Sequence, residues 1–210
     1  MELKESLEKA LIELRKSEKR KFDQTVDLIL NLKKFDVKKN SINLFAPVPY
    51  PIKEKKICAF LEAKNNNVET ITKTEFKKYS EKNQMKKLAK KYDFFIAEAS
   101  LMPSVATSFG RVLGQMGKMP SPQLGILMEV NDKTIKEIKE RINKSIKIKV
   151  KEPSIKIPVG KESMKDGEII ENILVIYNSV LKALPKEKEN IKNIEIKLTM
   201  TKPQKIKEIN

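Results

Sequence analysis

The predicted order of helices and strands restricts this chain of 210 residues to few folds, because neither end supplies a complete domain. Each end offers one helix and two strands, and so few elements cannot cover their own apolar faces. Prolines interrupt regular structure inside each end, three of them within Pro47–Pro51 and another at Pro153. The predicted elements are a helix at 3–19, strands at 22–32, 42–46 and 155–160, a helix at 166–184 and a strand at 193–199.

Strands and helices alternate between these prolines, which favours an open, largely parallel sheet with helices packed on it. The economical solution is an α/β protein of two domains. Residues 1–55 plus 151–210 form a discontinuous α/β domain, an α+β sandwich, and residues 56–150 form an inserted, Rossmann-like three-layer α/β domain. Both crossings then lie close in space and act as a hinge. The predicted inserted elements are strands at 56–61, 68–72, 93–99 and 145–150 and helices at 74–92, 101–114 and 132–144.

The charge balance predicts a polyanionic partner. The sequence has 44 Lys and Arg against 28 Asp and Glu, a formal net charge of +16. A compact protein with this surplus repels itself unless an anion neutralises it, and nucleic acid is the usual partner. A Lys-rich composition without functional meaning is the alternative. Both predicted domains are basic, so charge does not say which one binds.

Several classes of function are disfavoured. No apolar run approaches the roughly 20 residues that span a bilayer, and the N-terminus lacks a signal peptide, so we expect a cytoplasmic protein without a membrane partner. The chain has no histidine and one cysteine, which excludes His-dependent nucleophiles and Cys-rich zinc sites. A nucleotide-dependent enzyme, suggested only by the alternating strands, would require a phosphate loop that the sequence lacks. We expect no enzyme and no cofactor.

Three segments resemble the ribosomal protein L-one family, the universal stalk protein of the large ribosomal subunit, in its archaeal form. Residues 113–122 (LGQMGKMPSP) resemble the family signature LGPRGKMPxP. Residues 21–27 (KFDQTVD) are similar to its KFxxTV(E/D) strand opening, and residues 198–201 (LTMT) resemble its terminal TMG. The segments at 156–164 and 90–103 match as well, so the resemblance covers essentially the whole chain.

The resemblance implies a function in translation. Family members fold as two α/β domains, and the discontinuous one binds a junction of large-subunit ribosomal RNA. Protein and RNA form a mobile stalk that contacts deacylated tRNA at the exit site and assists its release. Many members also repress translation of their own mRNA. A free translational repressor or ribosome-assembly factor derived from the same family is the alternative.

RNA recognition by a preformed surface needs phosphate partners, apolar surface for riboses and bases, and hydroxyls that reach 2′-OH groups. Phe22 supplies an aromatic beside Lys21, although a core phenylalanine is the alternative. Thr25 and Asp27 lie on the outward phase of a strand, where a plain solvated face is the alternative. With the resemblance, the candidate RNA-binding residues are Lys21, Phe22, Thr25, Asp27, Gly160, Lys161, Thr199, Met200 and Thr201.

Other positions carry weaker expectations. Gly160 and Lys161 fit a tight turn that offers a backbone N–H and a phosphate cation. Lys118 follows two glycines three residues apart and is a secondary RNA contact, whereas the lysines of the 74–92 helix suit a solvated face. Thr201 replaces the family's glycine, which restricts φ and the approach of RNA. Residues 62–67 are too few for the helix that the family has there.

Overall fold

A computed structural model describes residues 2–18, 20–37, 39–40, 42–79 and 81–206, without the side chain of Glu2. Contacts divide the chain into two compact units, Met1–Ile52 with Lys144–Asn210 and Lys53–Asn143. We call them the end unit and the inserted unit. Each unit has its own hydrophobic core.

The chain combines five α-helices and ten strands in the described ranges, so the predicted mixed α/β class is confirmed. The helices are α1 (Glu2–Arg15), α2 (Lys82–Lys91), α3 (Met102–Gln115), α4 (Asp132–Asn143) and α5 (Asp166–Ala183). The strands are β1 (Thr25–Leu32), β2 (Asn43–Pro47), β3 (Ile57–Phe60), β4 (Glu69–Ile71), β5 (Phe94–Glu98), β6 (Ile126–Leu127), β7 (Ser145–Lys149), β8 (Ser154–Lys161), β9 (Ile191–Leu198) and β10 (Gln204–Ile206). Every described helix is too short or too polar to cross a membrane.

The end unit is built on an antiparallel sheet of order β10-β9-β1-β8. Burial alternates strictly along β1, as predicted, because successive side chains of a strand point to opposite faces. The inward face joins Leu28 and Leu30 to the core that α1 and α5 complete, for example through Leu11 and Ile173. The outward face carries the odd-numbered residues of β1, which are half-buried.

A second, two-stranded sheet of the end unit pairs β2 with β7 in antiparallel register. The inserted domain predicted at 56–150 includes the strand at 145–150. Leu44 pairs with Ile148 and Ala46 with Ile146, and the side chains of Ala46 and Ile148 are both buried in the core of the end unit. The pairing of these two short strands therefore places β7 in the end unit.

The inserted unit contains the predicted parallel sheet, in the order β4-β3-β5-β6. Helices cover both of its faces. Phe60 and Phe95 pack with Phe109 of α3 on one face, while Ile96 packs with Ile135 of α4 on the other. Parallel strands buried on both sides are continuously apolar, as ICAF in β3 is.

The single helix predicted over 74–92 is wrong. A 3₁₀-helix at Lys73–Tyr79 precedes α2. Side chains three residues apart project to the same side of a 3₁₀-helix, so Phe76 and Tyr79 both reach the ring of Phe109, at 5.1 and 6.1 Å between centroids. Residues 62–67 form bends rather than a helix, as predicted.

Candidate nucleic-acid interface

Three strand ends of the end unit bring most of the candidate residues together. In the register of the sheet, Val26 lies between Leu198 of β9 and Gly160 of β8. The residues just before Val26, just after Leu198 and at the end of β8 therefore share one edge. We call the candidates at this edge the composite face: Lys21, Phe22, Thr25, Asp27, Lys161, Thr199, Met200 and Thr201.

Two hydrogen bonds between Thr25 and Thr199 join the start of β1 to the end of β9 at this edge. The backbone N–H of Thr25 donates to Oγ1 of Thr199 at 3.0 Å. The hydroxyl of Thr199 in turn donates to the carbonyl of Thr25 at 3.4 Å. The two ends of the chain are thus joined directly at the composite face.

Two large apolar side chains of the composite face are exposed to solvent. Phe22 is 51% exposed and Met200 is 61% exposed. Phe22 is therefore not a core phenylalanine, which was the alternative for it. Exposed aromatic and thioether groups next to hydroxyls are the surface that stacking on a base or ribose requires.

Asp27 and Thr25 lie half-buried on the outward face of β1, as the alternation predicted. Partial burial raises the pKa of the Asp27 carboxyl, and the cation of Lys197 opposes this rise. Lys197 is the register partner of Asp27 on β9. The carboxylate is thus positioned beside a cation and remains accessible to a ribose hydroxyl.

Lys161 is partly engaged within the protein. Its Nζ lies 4.0 Å from Oδ2 of Asp23 and 3.5 Å from the Asp23 carbonyl oxygen. Ser163 also binds Asp23, donating from its N–H at 3.1 Å and from its hydroxyl at 3.0 Å. Asp23 therefore ties the end of β8 to the segment that enters β1.

The tight turn predicted at Gly160 and Lys161 is wrong. Strand β8 continues through Lys161, opposite Thr25, and the turn follows at Glu162 and Ser163. Gly160 is buried, and a Cβ added there would lie 2.8 Å from Cγ1 of Ile169. Glycine serves close packing of β8 against α5 at this position, and not a turn.

Thr201 closes the turn after β9 with its own hydroxyl. Its Oγ1 accepts a hydrogen bond from the N–H of Leu198 at 2.9 Å and lies 3.3 Å from the Leu198 carbonyl oxygen. Among the described non-glycine residues, a positive φ occurs at Lys34 and Glu187. Thr201, at the position where the motif resemblance implies a glycine, therefore closes this turn without left-handed backbone strain.

Gln24, which is not among the residues predicted from the sequence, bonds to two segments of the composite face. Its side chain is 1% exposed, although it belongs to the entry into β1. The amide Nε2 donates to Oε2 of Glu162 at 3.1 Å, and Oε1 accepts the N–H of Met200 at 3.2 Å. The sequence does contain a sign of this role. Gln24 is a polar residue whose position alternates in step with the buried apolar residues of β1.

Lys118 is engaged in the fold of the inserted unit. Its Nζ donates to the carbonyls of Ala89 and Tyr92, both at 2.7 Å. These carbonyls end α2, where the helix dipole favours a cation. Gly117, at φ +68°, lets the chain leave α3 just before this lysine. The geometry gives Lys118 a helix-capping role.

A cleft of about 290 Å³ opens next to Met200 in the end unit. Its walls combine apolar, amide, hydroxyl and charged groups, the mixture that contacts the edges and faces of RNA bases. The lining residues are Glu13, Leu14, Ser17, Glu18, Arg20, Gln24, Met200, Thr201, Lys202 and Gln204.

The described residues contain no group of three or more His, Cys, Asp or Glu side chains that could hold a metal ion. Cys58 is fully buried in β3. Burial raises the pKa of its thiol to about 12, and a thiol that stays protonated is neither a nucleophile nor a metal ligand. Cys58 is a core residue.

These features define a strongly basic mixed α/β protein in which both chain ends build one exposed edge. Sequence comparison identifies the particular group: the chain belongs to the Ribosomal protein L1p/L10e family, whose pattern matches residues 14–202. It is 34% identical to the large ribosomal subunit protein uL1 of Nanoarchaeum equitans, over 89% of this chain and 92% of that protein. It is 35% identical to the uL1 of Pyrobaculum aerophilum, over 98% and 95%, and 34% identical to that of Pyrococcus abyssi, over 90% and 89%.

The family resemblance drawn from the sequence motifs is thereby confirmed. Membership gives the chain a structural role in the large ribosomal subunit and a place in the cytoplasmic ribosome. The family is structural and non-enzymatic, so the expectation that the chain is not an enzyme is confirmed as well.

Proposed function

We propose that this chain binds large-subunit ribosomal RNA through the composite face. The observation that carries the proposal is the joining of the two chain ends by Thr25 and Thr199, beside the exposed side chains of Phe22 and Met200. Isolated apolar side chains are common on protein surfaces. Two large ones at one strand edge, flanked by hydroxyls and a lysine on a chain of net charge +16, suit a folded RNA.

The side chains of the composite face contact different parts of the RNA, according to their chemistry. Phe22 and Met200 pack on riboses or bases, while Lys21 neutralises phosphate. Thr199 and Asp27 bond ribose hydroxyls, which distinguish RNA from DNA. The hydroxyl of Thr199 is held by the backbone of Thr25, so it is ordered before RNA arrives. An ordered surface binds with a smaller entropic cost.

The wider role follows from family membership and is likewise proposed. The end unit is the discontinuous RNA-binding domain, and the inserted unit moves on a hinge formed by the two crossings. Protein and RNA form the mobile stalk that contacts deacylated tRNA at the exit site and assists its release. The same face binds the chain's own mRNA and represses its translation.

A free translational repressor or assembly factor is the second candidate, because Thr201 stands where the family has glycine. Sedimentation of ribosomes through increasing salt separates the two. We expect the chain to remain with large subunits at salt concentrations that remove loosely bound factors. Complete release at moderate salt, with binding to its mRNA retained, would favour the free repressor.

Salt also reports on the mode of binding. Each phosphate that a lysine neutralises contributes about 0.7 to 0.9 to the slope of log affinity against log salt. We expect Lys21→Gln to reduce that slope by about one contact. Lys133→Gln, at an exposed position of α4, is the matched control for the change in charge. If wild type and Lys21→Gln give equal slopes, Lys21 does not neutralise a phosphate of the RNA.

A further inference from the structure

The buried amide of Gln24 links three segments that build the composite face. It bonds Glu162, which lies 138 positions further along the chain, and Met200, which lies 176 positions further along. A backbone hydrogen bond reinforces the first link, because the N–H of Glu162 donates to the Gln24 carbonyl at 2.8 Å. Burying a polar side chain is costly unless its groups are bonded, and both ends of this amide are.

The chemistry of the two partners selects glutamine at position 24. The Glu162 carboxylate can only accept, and the N–H of Met200 can only donate. An amide satisfies both with its two ends. A carboxylate at position 24 would still accept from Met200 but would face the carboxylate of Glu162, and an apolar side chain of similar length would leave both partners unbonded.

We propose that Gln24 is a positioning residue for RNA recognition, which holds the backbone of Met200 in place and thereby fixes the exposed end of the composite face. The inference rests on the proposed RNA-binding function. Gln24 is 1% exposed and does not itself meet RNA. Its effect passes through Met200, whose side chain projects from the backbone that Gln24 holds, and through neighbouring Thr199.

Four variants separate the contributions of the two bonds. Gln24→Met removes both, whereas Gln24→Glu offers Met200 an acceptor but sets two carboxylates against each other, and their repulsion displaces that acceptor from the Met200 N–H. Glu162→Gln alone retains an acceptor for the Gln24 amide. The double variant Gln24→Glu with Glu162→Gln exchanges the roles, because the new amide at 162 donates to the new carboxylate at 24. Rescue in the double variant is expected if the hydrogen bond between positions 24 and 162 carries the effect, and not if loss of the Gln24 side chain alone does.

The measurement is the affinity of each purified full chain for a transcript of large-subunit ribosomal RNA. We expect Gln24→Met and Gln24→Glu each to weaken binding about tenfold or more, and the double variant to return within about threefold of wild type. Hydrogen exchange of the Met200 amide provides a second readout. It should accelerate in Gln24→Met, which lacks the acceptor, and stay slow in the double variant.

Asn190→Leu is the control for general destabilisation. Asn190 is also buried, and its amide bonds the carbonyls of Lys33 and Lys34 just beyond the far end of β1. We expect this variant to lower Tm and leave RNA affinity unchanged. Gln24 variants that bind like wild type, or a double variant no better than Gln24→Glu, would overturn the inference. Absence of binding by wild type would instead overturn the proposed function.

Discussion

The hydroxyl of Thr199 accepts the backbone N–H of Thr25 at 3.0 Å, although 174 positions separate the two residues. The bond lies where β1 begins and β9 has just ended. It closes the sheet at the edge where Phe22 and Met200 are exposed. The recognition surface that we propose therefore depends on contacts between the two ends of the chain.

Replacing the hydroxyl at this junction should weaken both the fold and binding. In Thr199→Val the N–H of Thr25 loses its acceptor within the protein. Water replaces part of this bond because the site is exposed, so we expect a loss of about 0.5 to 1 kcal/mol in the free energy of unfolding. Denaturant titration measures that loss, and RNA affinity should fall with it. Thr199→Ser keeps the hydroxyl and should retain both the stability and the RNA affinity of wild type. If Thr199→Val and Thr199→Ser have the same stability and affinity, the hydroxyl does not contribute to either.

Lys118 should matter for stability rather than for RNA. In Lys118→Met the carbonyls of Ala89 and Tyr92 at the end of α2 lose their charged donor. We expect a loss of about 1 to 2 kcal/mol in the free energy of unfolding. The control is Lys86→Met, an exposed position of the same helix with the same change in charge. Unchanged stability with RNA affinity lower than in the control would instead support a direct contact.

Lys55 should make stability depend on pH in the alkaline range. Burial lowers the pKa of its ammonium group from 10.5 to about 8, while its Nζ donates to the Ile142 carbonyl at 2.6 Å. Between these two values the unfolded chain binds the proton and the folded chain does not. Unfolding then takes up a proton, so the contribution of Lys55 to stability rises as the pH rises from 8 to 10.5.

Comparison with Lys55→Met isolates this effect from other groups that titrate in the same range. The difference in unfolding free energy between wild type and the variant should shift in favour of wild type across that window. Lys136→Met, at an exposed position of α4, should follow wild type. A constant difference between wild type and Lys55→Met from pH 7 to 10.5 would show that the folded environment does not perturb Lys55.

The sequence predicted those parts of the fold that local periodicity determines. Alternation in β1 identified the outward phase of Thr25 and Asp27, because one face of the strand packs on helices. Apolar character identified the strand at 56–61, which the structure buries on both faces as β3. The family motifs identified the segments around Phe22 and Met200 before the structure showed that they share one edge.

Features that depend on distant partners were not predictable from local pattern. The 3₁₀-helix at Lys73–Tyr79 exists because two of its rings pack on Phe109, and over seven residues its period resembles that of an α-helix. The three residues of β10 form a strand only because the edge of β9 is available. The glycine at 160 is explained by Ile169 of α5, and no neighbour in sequence reveals that contact.

The roles of Gln24 and Lys118 were hidden for the same reason. Gln24 has partners 138 and 176 positions away, and Lys118 has partners 26 and 29 positions away. A sequence shows the type of each side chain but not what lies opposite it. Of these two residues, Gln24 is the one whose role the sequence suggests, because it is a polar residue at a position where the pattern of the segment entering β1 predicts burial.

Footprinting on large-subunit ribosomal RNA tests the composite face most directly. Phe22→Ala and Met200→Ala remove exposed side chains, so each should change the free energy of unfolding by no more than about 0.5 kcal/mol. We expect wild type to protect one compact junction of the RNA, and each variant to lose that protection at concentrations where wild type gives it. Full protection by both stable variants would show that the RNA binds elsewhere on the chain.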